Sequence, residues 1–385
     1  MYKYDLDSME KDGFTTRFAS QFLKNKNAEC NSNMYSKDLI EKAYEYGFYA
    51  NHFYQYTNNG TKKINHSDFL NDYDYEKLWP LNDWMRIWVN DKMTLKYMLS
   101  HTEFDGVMPK YYFYMSNQGL RSLIDNENKG QTINYFINKL KEVRCFACKP
   151  SNGQEAVGFF KLSYDSGDFF LNDKPISQTE LEKLVLNRKN YIFSEYLTSG
   201  GNLGSICKKI HTIRVMVLNK DGNNPVILPA CYIRFGTSSL GEANYVRNDD
   251  KDSDDFTIFA DVDITNGFFG HAKAFYLDKT IDIKKHPDSM KELTGIIPNW
   301  ERVCEVAIGI SKYLFGVEWM GFDMCIDNEG NPRLMEINTQ PGIGYLQVYH
   351  PLLLIPEVKD YIERKLSIIK NLTEIGIQTR NKIIR

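Results

Sequence analysis

Cysteine is scarce, with 7 in 385 residues, scattered and odd in number. That usage fits reduced thiols in a reducing compartment and argues against a disulfide framework. The only close pair, Cys145-x-x-Cys148, falls in an apparent strand from Arg144 to Lys149. Residues three apart on a strand point to opposite faces, so neither a chelate nor a redox pair is expected there. No apolar run approaches the roughly 20 residues that a membrane span needs. The first residues, M-Y-K-Y-D-L-D-S-M-E, hold no signal-peptide core, so a cytoplasmic location is expected. Neither sign of charge is in surplus: the net charge is −3, with 25% of residues charged. That leaves no basic stripe for nucleic acid and no polybasic run for an anionic membrane, and points to a small or neutral partner. The length has room for two or three domains.

The most informative stretch runs from Met320 to Gly344, M-G-F-D-M-C-I-D-N-E-G-N-P-R-L-M-E-I-N-T-Q-P-G-I-G. Two alternating runs, Met320 to Ile326 and Arg333 to Asn338, flank the polar segment Asp327 to Asn331, the pattern of an antiparallel hairpin. With the turn centred between Glu329 and Gly330, Asp323 faces Glu336 and Gly321 faces Asn338. Side chains alternate with period two, so Asp323, Glu336 and Asn338 share a polar face, while Phe322, Met324, Met335 and Ile337 share a core face. Two carboxylates directly opposite repel, by on the order of 0.2–1 kcal/mol when exposed and more when desolvated. A cation between them reverses the sign. Two carboxylates and an amide oxygen form a hard, oxygen-only donor set suited to magnesium. The plainer reading is an exposed hairpin face with ordinary surface charges.

The pattern D-x(12)-E-I-N-T-x-P-G resembles the metal-binding end of the ATP-grasp superfamily, ligases that activate a carboxylate with ATP and pass it to an amine. From about His211 to Gln347 the chain is most similar to the sugar-transfer-associated ATP-grasp group. The matching residues are H-T-I-R-V, H-P-D-S at His286 to Ser289, I-P-N-W-E-R-V before a helix, and M-G-F-D-M-C-I-D followed by E-I-N-T-Q-P-G. The resemblance implies an α+β ATP-grasp fold, two lobes clasping ATP. It also implies magnesium, or manganese in its place, on Asp323, Glu336 and Asn338.

Other segments take roles from the same resemblance. Asp91 reads as the cap of a helix through Met93, Leu95, Tyr97, Met98 and Leu99. Lys92 then stands where the superfamily places a lysine on the nucleotide phosphates; alone it reads as a solvated lysine. Val143 to Lys161 reads strand, loop, strand, and resembles the phosphate-covering hairpin. Lys149 would be a point cation there, with Ser151 and Gly153 in the loop whose N–H groups meet the phosphates. Gly153 and Gly158 are all the glycine this loop has, fewer than the superfamily pattern carries. Tyr191 to Leu197 resembles the adenine-binding linker, in which Ser194, Glu195 and Leu197 act mainly through the backbone; a plain strand exit explains its composition equally well.

Arg214 interrupts an apolar strand, His211 to Leu218, and a buried-side arginine needs a partner. It is a candidate to hold the transferring phosphate or the acyl phosphate, or else belongs to an internal ion pair. Arg234, on the strand Ala230 to Gly236, could face the substrate carboxylate. His211 stands where the group usually has Asn and receives no catalytic role. The run Asp249 to Asp255 lacks the glycine and glutamate of a calcium loop and reads as a solvated loop. His286 to Ser289 is expected near the second substrate.

Four regions are expected: a largely helical 1–88, an N-terminal lobe 89–198, a C-terminal lobe 199–355 and a helical tail 356–385, frayed from Arg380. The reaction implied joins an acid to an amine or amino acid through an acyl phosphate. The subgroup resemblance suggests a uronic acid or other acidic sugar, in surface polysaccharide synthesis beside glycosyltransferases. Two other readings stand: a peptide or protein-terminus ligase resembling tubulin-tyrosine-ligase-like enzymes, and a non-catalytic nucleotide-binding scaffold.

Overall fold

The computed structural model describes residues 2–32, 34–57, 62–124, 132–153, 157–238, 255–276 and 279–383. The expected turn at Asn58 to Gly60 and nearly all of the acidic run lie outside them. Helices begin where short polar side chains meet free N–H groups. Ser36 caps Lys37–Glu45 through Leu39 N, and Asp91 caps Lys92–Leu99 through Thr94 N. Ser177 and Glu180 form a capping box on Gln178–Leu186. The first 90 residues carry six α-helices among the described residues, the first five packed around Phe14, Phe22, Phe48, Phe53 and Tyr73.

Two antiparallel sheets follow. The first, seven-stranded among the described residues, centres on Cys145–Pro150, paired with Tyr191–Glu195 on one side and Phe160–Asp165 on the other. Phe146 and Cys148 point into a core with Phe136 and Phe193, whereas Ala147 and Lys149 point the other way, into a cavity. The cysteine pair is thus split across the sheet, and all seven cysteines are free.

The second sheet, nine-stranded among the described residues, centres on Thr212–Leu218, between Tyr232–Phe235 and Trp319–Ile326. One of its faces is wholly apolar. Ile213, Val215, Val217, Ile233, Phe235, Met320, Phe322 and Met324 pack there under the helix Trp300–Tyr313, which contributes Val303, Val306, Ala307 and Ile310. The other face is divided. At one end Met216, Leu218 and Trp319 pack on the C-terminal helix Pro356–Lys370. At the other, Thr212, Arg214, Arg234 and Asp323 line the cavity.

The hairpin Trp319–Ile326/Pro332–Asn338 has the expected pairs Gly321 with Asn338 and Asp323 with Glu336. Beyond Asp323 the register shifts by one, and Met324 faces Leu334 instead of Met335. This is a bulge, which reverses the alternation. Leu334 is consequently the buried core residue, and Met335, expected in the core, lines the cavity. Two terminal expectations also change. The helix Glu374–Lys382 takes in the first three residues of the segment expected to fray, 380–382, because the Arg380 guanidinium donates to the carbonyls of Gly13, Lys77 and Trp79. The helix expected from Pro298 starts at Trp300, behind a left-handed Asn299.

Asn82 joins the N-terminal helices to the hairpin. Its amide Nδ2 donates to Trp319 O and Thr339 O, both at 2.7 Å, while Oδ1 accepts from Glu318 N at 2.8 Å and Trp319 N at 3.2 Å. Asn82→Ala strands several buried backbone groups at once, each costing about 1–3 kcal/mol. The expected loss, read by denaturant unfolding, is roughly 3 kcal/mol or more; a loss under about 1 kcal/mol would mean that water replaces the side chain.

Candidate active site

Strand pairing aligns the charged residues into a row across the second sheet. Tyr232 faces Arg214, Arg214 faces Asp323, and Asp323 faces Glu336, each about 4.8 Å from the next along the hydrogen-bonding direction. Gly321, beside this row, has no space for a side chain: a Cβ there would stand 2.8 Å from Pro341 Cβ and 3.1 Å from Arg214 Cδ. The bare backbone lets Arg214 and the P-G tail pack together over the hairpin.

The two carboxylates are balanced by different cations. Arg214 grips Asp323 with two parallel bonds, Nε to Oδ1 and the second nitrogen to Oδ2 at 3.1 Å. Lys92 Nζ lies 2.8 Å from Glu336 Oε2 and donates to Gly153 O at 2.9 Å. The Asn338 amide bridges the pair, 3.3 Å from Asp323 and 3.4 Å from Glu336. Burial works against the charge on Glu336, but Lys92 first, then Lys149 and Arg214, outweigh it and hold its pKa at about 2. Asp323 moves the other way: desolvation and the neighbouring Glu336 raise it, against the pull of Arg214.

Between the sheets lies a cavity of about 450 Å³. Its lining includes Lys92, Lys149, Gly153, Ser194, Glu195, Leu197, Arg214, Arg234, Asp323, Glu336 and Asn338, so eleven of the twelve residues singled out from sequence share one space. Ser151 does not. Its hydroxyl is bound to Asp91 and its carbonyl accepts from Lys92 N at 2.9 Å, which ties the start of the Lys92 helix to the hairpin of the first sheet. Lys149 has no ion-pair partner among the described residues, and burial followed by the charge of Lys92 lowers its pKa to about 8. Ala147, Met335, Tyr196 and Ile210 supply apolar wall.

Some expectations resolve differently. In this structure Arg214 is bound in an internal ion pair. The segment His286 to Ser289 is absent from the cavity lining; His286 meets Gly236 O, Asp288 accepts from the N–H and hydroxyl of Ser238, and Ser289 donates to Ile206 O. His211 is structural: it accepts from Ile326 N at 3.0 Å, contacts Ser199 Oγ at 2.9 Å, and burial lowers its pKa to about 3. Sequence reasoning missed Arg333. This residue binds Glu195 at 2.7 Å, Asp327 at 3.2 Å and the carbonyls of Val107 and Met108, joining the hairpin to the linker strand. Its one visible signal was a cation inside an alternating run.

The donor set fits a hard divalent cation. Two facing carboxylates already require positive charge between or beside them, and Asn338 here donates its Nδ2 to both, so its oxygen would join a metal only with the amide turned over. Among the described residues no cluster of three or more His, Cys, Asp or Glu could hold a metal, so a cation here would need further oxygens from phosphate or water.

The profile described as sugar-transfer associated ATP-grasp matches residues 81–360, and the chain belongs to this family. No curated protein matches the sequence. Among solved structures, similarity is found to D-alanyl-alanine synthetase A from Vibrio cholerae, with 12% identity over 73% of this chain and 65% of that one and a TM-score of 0.37. VanG D-Ala:D-Ser ligase from Enterococcus faecalis gives 13% over 72% and 61%, with a TM-score of 0.37. D-alanine–D-alanine ligase from Bacillus anthracis, complexed with ATP, gives 15% over 77% and 67%, with a TM-score of 0.33. The chain thus spans about two thirds of these proteins' lengths or slightly less. No helix among the described residues is long and apolar enough to cross a membrane.

The low pKa of Glu336 fixes a pH dependence. Its folded value lies below the ordinary 4.5, so its ion pairs stabilise the fold above pH 4.5, and that contribution is lost as pH falls from 4.5 through about 2. Glu336→Gln is expected to cost roughly 2–3 kcal/mol at pH 7, and the gap from wild type should shrink below pH 4.5 in urea titrations. A gap independent of pH would assign the loss to packing.

Proposed function

We infer that the protein is an ATP-dependent ligase that joins a carboxylate to an amine, with release of ADP and phosphate. The observation that carries this reading is the shared cavity: two carboxylates and an amide on one sheet face a free lysine on the other, across a space lined by the linker strand. Residues 89–198 and 199–355 are read as the two lobes, with 1–88 supporting the hairpin and 356–385 as a helical tail.

ATP would lie between the sheets, with adenine against the backbone of Ser194, Glu195 and Leu197 and the apolar surface of Met335 and Ala147. Lys149 and Lys92 would meet its phosphates as point charges. Asp323, Glu336 and the side-chain oxygen of Asn338 would hold magnesium or manganese, which when bound neutralises phosphate charge. The acid's carboxylate oxygen takes the γ-phosphoryl group and ADP leaves. The amine then attacks the acyl carbon, loses a proton, and phosphate departs with the C–O bond electrons. Arg214 and Arg234 stabilise charge on the carboxylate side of this transfer. On this reading the activated species is a bound acyl phosphate, as the family resemblance implies. The family resemblance favours an acidic sugar such as a uronic acid as the acid and an amino acid or amine as acceptor, in polysaccharide synthesis alongside glycosyltransferases in the cytoplasm.

Hydroxylamine is a small amine that can intercept such an intermediate. With ATP, magnesium and a panel of acidic sugars, a hydroxamate and ADP are the expected products; AMP with pyrophosphate would contradict the ligase chemistry proposed here. Lys149 offers a second test. It is partly neutral near pH 8 in the free protein, and bound phosphate should restore its proton. Calorimetry at pH 8 in buffers of different ionisation enthalpy should detect proton uptake on ATP binding. Lys149→Met should abolish the uptake and weaken ATP by about tenfold or more. Unchanged affinity and uptake would move the phosphates elsewhere.

A further inference from the structure

The two ends of the cavity belong to different sheets. The linker strand Tyr191–Glu195, followed by Tyr196 and Leu197, belongs to the first; the hairpin strand Pro332–Asn338, which carries Glu336 and Asn338, belongs to the second. Among the described residues, the direct hydrogen bonds between these two strands run from Arg333 to Glu195, at 2.7 and 3.5 Å. Arg333 itself is absent from the cavity lining, so it touches neither end of a ligand held there.

The guanidinium is fully engaged. Nε and one terminal nitrogen donate to the carbonyls of Val107 and Met108, both at 3.3 Å, and the other terminal nitrogen donates to Asp327 at 3.2 Å as well as to Glu195. A guanidinium has five N–H groups, and here they meet acceptors on three segments: the hairpin turn, the linker strand and residues 107–108. The last segment is itself bonded to both strands. Val107 O accepts from Leu334 N at 3.0 Å, Lys110 O accepts from Glu195 N at 2.8 Å, and Lys110 N donates to the Glu195 carboxylate at 3.0 Å. A planar fork can hold three segments at fixed separations, whereas a lysine would offer a point charge on a flexible stem.

A ligand anchored at both ends gains from the connection between them only when the two half-sites stand at its own span. A misplacement of about 1 Å can cost on the order of a hundredfold. We propose that Arg333 is a positioning residue that fixes the span between the base end and the metal end of the nucleotide site, strengthening the whole nucleotide without strengthening either of its parts. This rests on the ligase reading above, which lays ATP across the two sheets, and assigns to that site a residue that never meets the ligand.

The test uses the full chain with magnesium and three probes: ATP, adenosine and tripolyphosphate, the two fragments each required to compete with ATP. The product of the two fragment Kd values divided by the Kd of ATP measures what the connection contributes. Arg333→Met should lower this quotient about tenfold or more, with each fragment bound within about twofold of wild type. That variant leaves the buried Asp327 carboxylate without its cation, so Arg333→Lys is measured beside it; it keeps the charge, loses the fork, and should lower the quotient as well. Asp327→Asn disturbs the same guanidinium but leaves its bonds to Glu195 in place, and should hold the quotient within about twofold even where Tm falls. A quotient unchanged in both Arg333 variants, fragments that weaken in parallel with ATP, an equal loss in Asp327→Asn, or failure of both Arg333 variants to fold would each mark Arg333 as merely structural and overturn the proposal. Wild-type ATP bound no more tightly than its tighter fragment would overturn it too and leave the ligase reading standing. Failure of the wild-type protein to bind ATP at all would overturn both.

Discussion

The structure depends on keeping two carboxylates side by side in a desolvated sheet. Asp323 and Glu336 are neighbours by strand register, and each must be matched by positive charge or the hairpin is destabilised. The protein meets this requirement with its own side chains, Arg214 on one carboxylate and Lys92 on the other. Because those cations come from a different strand and from a helix start, the charge balance also positions the elements that bring them. The Lys92 helix is tied to the first sheet through Ser151 and Gly153, so the two sheets communicate through the same few atoms.

A second constraint holds the hairpin from behind. The tail Thr339-Gln340-Pro341 runs against the N-terminal region: Tyr75 donates its hydroxyl to Pro341 O at 2.6 Å, Gln340 donates to Tyr75 O at 3.0 Å, and Thr339 donates to Asn90 at 3.0 Å. The first 90 residues therefore act as a rigid support for the carboxylate face. Arg333 performs a similar service at the opposite edge, fixing the linker strand to the hairpin through Glu195.

Local sequence revealed much of this arrangement, and the physical reason is that strand alternation and hairpin pairing are short-range. The Asp323–Glu336 register, the core face of the Trp300 helix and the split of Cys145 from Cys148 all follow from periodicity. The bulge at Met335 was not legible, since an extra residue in one strand leaves no mark in the hydrophobic pattern until its partner is known. The helical tail through Lys382 was hidden for a different reason. Its anchor is Arg380 bound to carbonyls about 300 and more residues away in sequence, and no local propensity encodes such contacts. The same holds for Asn82 and Arg333, whose partners are distant in sequence or belong to the backbone. Family resemblance assembled the candidate site by position, but it could not reveal that Arg214 and Lys92 pair with the two carboxylates.

On the proposed ligase reading, Asp323 and Glu336 would exchange these internal cations for a metal when nucleotide binds. The most direct measurement is anomalous diffraction from crystals grown with manganese and a non-hydrolysable ATP analogue. The expected result is a manganese peak against both carboxylates, the analogue's phosphates facing Lys149, and Lys92 moved from Glu336 to the phosphates. A nucleotide bound outside this cavity, or one bound within it while Asp323 and Glu336 keep Arg214 and Lys92 and no peak lies beside them, would contradict it.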